Sequence, residues 1–302
     1  MVRPPATMCD TLEITTTVGC PNACKLCPQE LFVSRYKDEH KYLSFDNFKK
    51  CINKIPNYVR IDFSGFSEPW LNPDCTKMIL YTHTLGFKIT VFTTCVGMKQ
   101  EDIEIIKSIP FEAFVVHLPD NDNNMKMPAV TGYMELLNRI KHESINNIRY
   151  MAMGPLHILL KDLFGYEKLG FKAINRAGNI KDNIVKKKQG SIRCAVSPKM
   201  RRNILLPNGG VVLCCMDYGI KHILGNLLDQ DYHDLFSGQQ YECIINGLNN
   251  DKSGDVLCRY CNWSRSRMNV NYITLREYAK QLIKSCLSPS ISHFQKLHDH
   301  HK

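Results

Sequence analysis

Residues 19–28 read GCPNACKLCP and carry three cysteines, Cys20, Cys24 and Cys27, in a C-x3-C-x2-C pattern directly after a β-rich run. Three thiolates so close together can ligate one polynuclear iron centre, because iron–sulfur clusters are held by cysteine sulfur. With three ligands for a cluster of four irons, one iron stays open, and an open position separates a metal that performs chemistry from one that only holds a fold. The triplet alone also allows a zinc site completed by a distant cysteine or histidine.

The rest of the first 180 residues alternates β-rich runs with stretches of helical spacing. This order is typical of βα units around a parallel sheet or barrel. Strands are predicted at residues 12–17, 58–64, 87–94, 113–117, 148–153 and 170–175. Helices are predicted at residues 44–54, 74–85, 100–108, 131–141 and 156–169. The predicted fold class is therefore α/β, with six parallel strands.

Composition narrows the class of protein further. The chain has 302 residues, 44% of them hydrophobic and 23% charged, so it can bury an ordinary core and global disorder is excluded. No apolar run approaches the roughly 20 residues that cross a bilayer, and the first nine residues lack the apolar stretch of a secretory signal. We therefore expect a cytoplasmic protein without a membrane partner. In a reducing compartment, 14 cysteines indicate metal binding or catalysis.

The C-x3-C-x2-C spacing resembles the signature of the radical S-adenosylmethionine (SAM) superfamily. In that family the open iron of a 4Fe-4S cluster is chelated by SAM, and an electron from the cluster cleaves SAM to methionine and a 5′-deoxyadenosyl radical, which removes hydrogen from the substrate. The resemblance covers residues 10–180 and implies a partial (β/α)6 barrel with a 4Fe-4S cluster on Cys20, Cys24 and Cys27. It also implies a reductant such as flavodoxin or ferredoxin.

Residues 64–69 (SGFSEP) end the second predicted strand and resemble the family's Gly-rich Glu-Pro motif. The resemblance implies that Glu68 and the backbone around Gly65 receive the ammonium group of SAM. Ser67 stands where a glycine is usual. A serine there must adopt a backbone conformation that glycine accommodates more easily, because serine has a Cβ. Read as structure only, the segment is a strand-to-helix turn.

Two further strand ends are predicted to face the cofactor on the same resemblance. Thr93 and Thr94 end the third strand, and Asn175 begins the segment NRAGN on the sixth. Threonines are also common in strands for their β-propensity alone. All these residues lie at the carboxyl ends of predicted parallel strands, where barrel enzymes build their sites.

A second cysteine group lies in the last third of the chain, where Cys194 and Cys214 form a C-x14-G-x4-C pattern that is followed by Cys258 and Cys261. This arrangement resembles the auxiliary-cluster extension of SPASM and twitch enzymes. Full SPASM domains carry seven cysteines, whereas residues 262–268 contain none here, so we infer one auxiliary 4Fe-4S cluster with four protein ligands. Electron transfer is then its expected role, and a structural zinc site is the alternative.

These resemblances divide the chain into a radical SAM core at residues 1–180, a SPASM/twitch-like domain at 181–287 and a His-rich flexible tail at 288–302. Within the second domain, Pro-Asn-Gly-Gly between two apolar runs of residues 203–217 predicts a hairpin. Residues 274–286 have helical spacing. Peptide-modifying members commonly carry a leader-binding domain, for which we expect no room before the first strand.

Length and cysteine spacing look most like the aminocyclitol dehydrogenases and aminoglycoside epimerases of the family. We therefore expect hydrogen abstraction from a polyhydroxylated, sugar-like small molecule, as a dehydrogenation or an epimerisation. An epimerase needs a hydrogen-donating thiol such as Cys215, for which a spare core thiol is the alternative interpretation. His117, Asp120 and Arg176 are polar candidates for contact with the substrate. Arg176 could make a bidentate contact or a salt bridge in the barrel rim.

Three alternatives stay open. Two are radical SAM modification of a peptide and of an RNA. The third is a zinc-stabilised nucleic-acid-binding protein, suggested by a net charge of +10 and by residues 181–202, where eight Lys and Arg face one Asp. A charge run is usually a solvated face, and nucleic-acid binding leaves both cysteine groups unexplained, so it is not expected.

Overall fold

The computed structural model describes residues 10–165, 174–180 and 186–267. Within these ranges the strands are β1 (Thr11–Ile14), β2 (Arg60–Phe63), β3 (Ile89–Thr93), β4 (Ala113–His117), β5 (Ile148–Met151), β6 (Ile192–Cys194), β7 (Arg202–Leu205), β8 (Gly210–Val212), β9 (Ile223–Asn226) and β10 (Ser264–Ser266). The helices there are α1 (Gln29–Arg35), α2 (Phe45–Ile52), α3 (Cys75–Thr84), α4 (Gln100–Ile106), α5 (Tyr133–His142), α6 (Lys161–Phe164) and α7 (Gln239–Asn249).

Most of these strands form one sheet with the order β5-β4-β3-β2-β1-β7-β8-β9. The strands from β1 to β5 pair in parallel, each with its neighbour in the chain. β7 pairs in parallel with the other edge of β1, and β8 and β9 continue from it antiparallel. In the part of the chain that is described, the sheet stays open, and the predicted partial α/β barrel is confirmed.

The two faces of the sheet differ in polarity because neighbouring side chains of a strand point to opposite faces. On β1, Leu12 and Ile14 belong to the hydrophobic core that includes residues of α2 to α5. Glu13 points to the opposite face, and its register partner on β2 is Asp62. β2 pairs with β3 and β3 pairs with β4, so the face of Glu13 and Asp62 continues to β4, where His117 lies on it. Parallel sheets usually read as hydrophobic on both faces, so the polar residues of this inner face are an exception to that pattern.

The differences from the predicted elements have local causes. The predicted helix 131–141 begins at Tyr133, after Gly132 in a left-handed conformation with φ 77°. The predicted helix 156–169 consists, where described, of a 3₁₀ turn at Ile158–Leu160 and the short α6, which ends at Gly165 with φ 71°. Helices α1 and α7 were not predicted.

Several predicted segments lie outside the described residues. They are most of the sixth strand at 170–175, a helix at 274–286 and the tail at 288–302. The hairpin predicted from Pro-Asn-Gly-Gly is confirmed as the β7–β8 pair, but its parallel pairing with β1 was not predicted. That pairing attaches the C-terminal part of the chain directly to the core sheet.

Candidate functional site

The first cysteine loop connects β1 to α1 and holds Cys20, Cys24 and Cys27 half-buried. The Cys27 N–H donates to the Cys24 carbonyl at 3.0 Å, and the Lys25 N–H donates to the Asn124 carbonyl at 2.7 Å. The second bond anchors the loop to the segment after β4.

The three thiols lie within electrostatic reach of one another. Burial raises the pKa of Cys24 to about 12, and its neighbours Cys27 and Cys20 contribute to the increase. Burial also raises the pKa of Cys20 to about 11, although N–H groups of Asn22 and Glu68 partly oppose it. Metal binding would deprotonate these thiols, and three cysteine sulfurs are a donor set that fits an iron–sulfur cluster.

Glu68 lies beside this loop at the end of β2 and is almost fully buried. Its carboxylate accepts hydrogen bonds from the Thr93 hydroxyl at 2.5 Å, from the Thr94 N–H at 2.6 Å and from the Thr94 hydroxyl at 2.8 Å. Burial nevertheless raises the pKa of Glu68 to about 7. The structure therefore brings together three residues that were predicted to face the cofactor.

Within the described ranges, no Lys, Arg or His side chain forms an ion pair with Glu68. A buried carboxylate without a cation is costly, and an ammonium group of a ligand would offset that cost. Two residues that the sequence did not indicate complete the surroundings. The Asn22 amide donates to the Thr94 hydroxyl at 2.8 Å, and the Tyr133 hydroxyl donates to the Thr94 carbonyl at 2.9 Å.

The turn before Glu68 explains the glycine and the serine of the motif. Gly65 has φ +51°, and a Cβ there would lie 2.4 Å from the Thr15 hydroxyl oxygen and 2.7 Å from the Ile14 carbonyl oxygen, so only glycine fits. Ser67 is not among the residues with positive φ, and its hydroxyl accepts a hydrogen bond from the Thr17 N–H at 3.4 Å. The backbone at position 67 therefore tolerates a serine.

The second cysteine group lines a small cavity of about 40 Å³. The cysteines in its lining are Cys194, Cys214, Cys215, Cys258 and Cys261. The other lining residues are mostly apolar, but Ser197, Arg202 and Ser264 also belong to the lining. In the described residues, no three His, Cys, Asp or Glu side chains converge on a point where one metal ion would sit. Four cysteine donors beside mostly apolar side chains fit an iron–sulfur cluster.

The loop of Cys258 and Cys261 is held by one buried and one half-buried cation, Arg259 and Lys188. Arg259 is inaccessible to solvent and donates to the carbonyls of Lys188 at 2.8 Å, Gly190 at 3.0 Å and Gly247 at 2.5 Å. The Lys188 ammonium group donates to the Cys261 carbonyl. These bonds fix the loop without using a sulfur.

The basic segment 181–202 is partly accounted for by such internal contacts. Besides Lys188, three of its residues form ion pairs: Lys187 with Asp255 at 3.2 Å, Arg201 with Asp10 at 3.1 Å and Arg202 with Glu13 at 3.8 Å. A phosphate-binding surface needs accessible cations. Contacts within the protein therefore account for these four positive charges without a bound nucleic acid.

Arg176 connects the two cysteine segments. Its Nε donates to the Leu26 carbonyl of the first loop at 3.1 Å, and Nη1 donates to the Cys215 carbonyl at 3.4 Å. Among the ion pairs of the described residues Arg176 does not occur, so the salt bridge considered above is absent there. Cys215 itself is half-buried.

Asn175 also connects core and extension. Its side-chain N–H donates to the Tyr260 carbonyl at 2.6 Å, and its side-chain oxygen accepts from the Asn262 N–H at 3.1 Å. A cofactor contact was predicted for Asn175. The contacts observed are with the second cysteine loop, and they account for this fully buried amide without a ligand.

His117 and Asp120, the remaining polar candidates, differ in whether their side chains are free to contact a ligand. Asp120 accepts hydrogen bonds from the N–H groups of Asp122, Asn124 and Met125, so it organises its own loop. His117 lies on the inner face of the sheet, where burial lowers its pKa to about 4. Its Nε2 is buried and has no hydrogen-bond partner among the described residues, which leaves it available to a ligand.

Glu13 and Ser64 are inner-face residues that the sequence did not single out. The Ser64 hydroxyl donates to the Glu13 carboxylate at 3.2 Å, and burial raises the pKa of Glu13. Next to them, Arg60 donates two bonds to Asp62 at 2.6 and 2.7 Å. The sequence feature that could have indicated these inner-face residues is the alternation of charged and apolar residues in the first two strands.

Comparison with known proteins agrees with this geometry. Residues 194–262 match the SPASM family, described as an iron-sulfur cluster-binding domain. The chain shares its fold with BtrN in complex with AdoMet and 2-DOIA, at 14% identity and a TM-score of 0.60 over 85% of this chain and 94% of BtrN. It also resembles Streptococcus suis SuiB bound to precursor peptide SuiA, at 14% identity and a TM-score of 0.53 over 84% of this chain and 69% of SuiB. No helix in the described ranges has the length and hydrophobicity to traverse a bilayer.

The described α/β part of the chain therefore has the fold of BtrN, and residues 194–262 match an iron–sulfur cluster-binding domain.

Proposed function

We propose that this chain is a radical SAM enzyme that takes a hydrogen atom from a polyhydroxylated small molecule. The observation that carries the proposal is the buried Glu68 carboxylate, which lacks a cation among the described residues and lies within electrostatic reach of Cys20 and Cys24. Cys20, Cys24 and Cys27 would hold a 4Fe-4S cluster, and Glu68 would accept the ammonium group of SAM. When bound, the cluster would supply the one electron that reductive cleavage of SAM to methionine and a 5′-deoxyadenosyl radical requires.

The protein's own residues position SAM and exclude water. Thr93 and Thr94 hold the Glu68 carboxylate through three hydrogen bonds, so its orientation is set before SAM binds. Gly65 leaves the backbone open where a Cβ would collide with β1. Such preorganisation reduces the cost of ordering the site when the ligand arrives.

The substrate would lie against the polar inner face of the sheet. His117 offers a buried ring nitrogen without a partner among the described residues, and it would hydrogen bond with a substrate hydroxyl. Glu13, whose carboxylate is held by Ser64, would accept the hydroxyl proton. In a dehydrogenation the substrate would give up a carbon-bound hydrogen atom, one proton and one electron to become a carbonyl product; Glu13 would take the hydroxyl proton, and SAM and the second cluster, when bound, would supply the acceptors for the hydrogen atom and the electron.

Similarity to BtrN supports a small substrate. BtrN is described in complex with AdoMet and the small molecule 2-DOIA, and this chain spans 94% of it. The likeness to SuiB, which is described with a precursor peptide, supports a second candidate, radical modification of a peptide. An epimerisation is a third outcome, in which Cys215 would return a hydrogen atom to the substrate carbon.

The test is anaerobic loading with iron and sulfide, followed by reduction with dithionite or a flavodoxin in the presence of SAM. We expect a brown protein with about eight irons, four for each cluster, and formation of 5′-deoxyadenosine. Mass analysis of 5′-deoxyadenosine after incubation with polyols deuterated at carbon should detect transferred deuterium. Transfer from a candidate peptide instead would establish the second candidate, and a protein that contains only zinc would refute the proposal.

A further inference from the structure

Tyr218 joins the two cysteine groups through a contact that the proposed function leaves unexplained. It follows Cys214 by four residues, yet its hydroxyl oxygen lies 3.5 Å from the Cys27 sulfur of the first loop. Tyr218 is buried. A residue of the second cysteine segment therefore contacts a ligand position of the first.

The ring of Tyr218 is held by Phe66 and Arg176. Its centroid lies 4.5 Å from that of Phe66, which belongs to the turn that precedes Glu68. The Arg176 guanidinium lies 5.4 Å from the same centroid, and its bonds to the carbonyls of Leu26 and Cys215 fix its position. The hydroxyl therefore has little freedom to turn away from Cys27.

The backbone at Arg176 supports a functional role for this contact. Arg176 and Ala177 have φ values of 47° and 53°, in the left-handed region that residues with a Cβ seldom adopt. Strain of this kind persists only where the surroundings enforce it, and it clusters at functional sites.

A second polar group also reaches the Cys27 sulfur. The side-chain oxygen of Gln29 lies 3.5 Å from that sulfur, and the buried Nε2 of Gln29 has no partner among the described residues. This orientation suits a thiol, which donates. A cluster ligand is a thiolate, which only accepts, so the amide would turn its N–H to the sulfur.

We propose that Tyr218, positioned by Arg176, donates a hydrogen bond to the Cys27 thiolate and raises the reduction potential of the first cluster. This inference rests on the proposed function. Hydrogen bonds to cluster sulfurs are a determinant of cluster potential, because they stabilise the more negative, reduced state. The segment that carries the second cluster thereby sets the potential of the first, and Tyr218 is a positioning residue.

The test compares potentials of the loaded protein by redox titration, following the paramagnetic signal that responds to SAM. Tyr218→Phe keeps the ring and its packing but removes the donor. We expect the ratio of reduced to oxidised first cluster at the wild-type midpoint to fall about tenfold, a shift of about 59 mV to more negative potential for one electron. Tyr36→Phe is the matched control, since Tyr36 packs in the same hydrophobic cluster but donates to the His40 carbonyl, and its potential should equal that of the wild type.

A second measurement covers the case in which Tyr218→Phe fails to take up its cluster. A fluorinated tyrosine at position 218, with a more acidic phenol, is a stronger donor and should shift the potential in the positive direction. Loaded variants whose potentials equal that of the wild type would overturn the role of Tyr218 and leave the proposed function intact. A wild-type protein that takes up iron but shows no signal responsive to SAM would overturn both.

Discussion

The two cysteine groups of this chain differ in how their surroundings complete them. The first offers three half-buried thiols beside Glu68, a buried carboxylate without a cation in the described residues. The second lines a small, mostly apolar cavity with four predicted ligands, and Arg259 and Lys188 hold its loop through backbone carbonyls. The first arrangement leaves room for a ligand that carries a positive charge, whereas the second is complete in itself. This contrast is what chemistry at one site and electron transfer at the other would require.

The largest effect should come from removing the first cysteine group, which we call the open site because its proposed cluster leaves one iron for SAM. Replacing Cys20, Cys24 and Cys27 together by Ala should abolish cleavage of SAM, because the first cluster has no other ligands in the proposal. The measurement is 5′-deoxyadenosine formed with dithionite. Cys51→Ala is the control, since Cys51 is a buried thiol of α2 and should leave cleavage unchanged. Cleavage that persists in the triple variant would contradict the proposed distinction between the two sites.

Removing the second cysteine group, the closed site with four protein ligands, should separate cleavage of SAM from formation of the product. With Cys258 and Cys261 both replaced by Ala, SAM should still be cleaved, but the oxidised product should no longer form because the substrate electron has no acceptor. Product analysis and 5′-deoxyadenosine measurement on the same samples check this. Cys243→Ala, on the exposed surface of α7, should retain both. Full product formation without the second cluster would mean that it has no redox role.

The cation-accepting role of the first site can be tested by Glu68→Gln. The amide keeps the shape but removes the charge, and hydrogen bonds to charged groups contribute about 1.5–3 kcal/mol. We therefore expect SAM to bind about 10- to 100-fold more weakly, as measured by equilibrium dialysis with the loaded protein. Glu30→Gln, on the exposed first turn of α1, should bind SAM as the wild type does. Equal affinity in Glu68→Gln would remove Glu68 from the cofactor site.

The smallest effect concerns the scaffold of the closed site. Arg259→Met removes the buried guanidinium that donates to three backbone carbonyls, so we expect a loss of about 2–4 kcal/mol in the free energy of unfolding. A lower Tm and reduced iron at the second site should follow, with SAM cleavage retained. The exposed pair of Lys77 with Asp74 provides the control, because Lys77→Met should change stability by less than about 1 kcal/mol. An unchanged Tm in Arg259→Met would show that the loop does not depend on Arg259.

How much of each site can be predicted from the sequence depends on how far apart the contacting residues are along the chain. The cysteine spacings are local, and Glu68, Thr93 and Thr94 follow from one rule, that the carboxyl ends of parallel strands meet at one edge. The contact between Tyr218 and Cys27 joins residues that are 191 apart in the chain. It depends on the parallel pairing of β7 with β1, which no local pattern indicates. Arg259 was equally unpredictable, since a charged residue is expected at the surface unless its buried partners are known.

The central claim is that the first cysteine loop holds an incompletely ligated cluster to which SAM binds. The most direct test is electron paramagnetic resonance of the reduced, anaerobically loaded protein before and after addition of SAM. The account predicts a 4Fe-4S signal that changes when SAM is added and that disappears when Cys20, Cys24 and Cys27 are replaced. A signal that is indifferent to SAM, or one that survives unchanged in the triple variant, would contradict it.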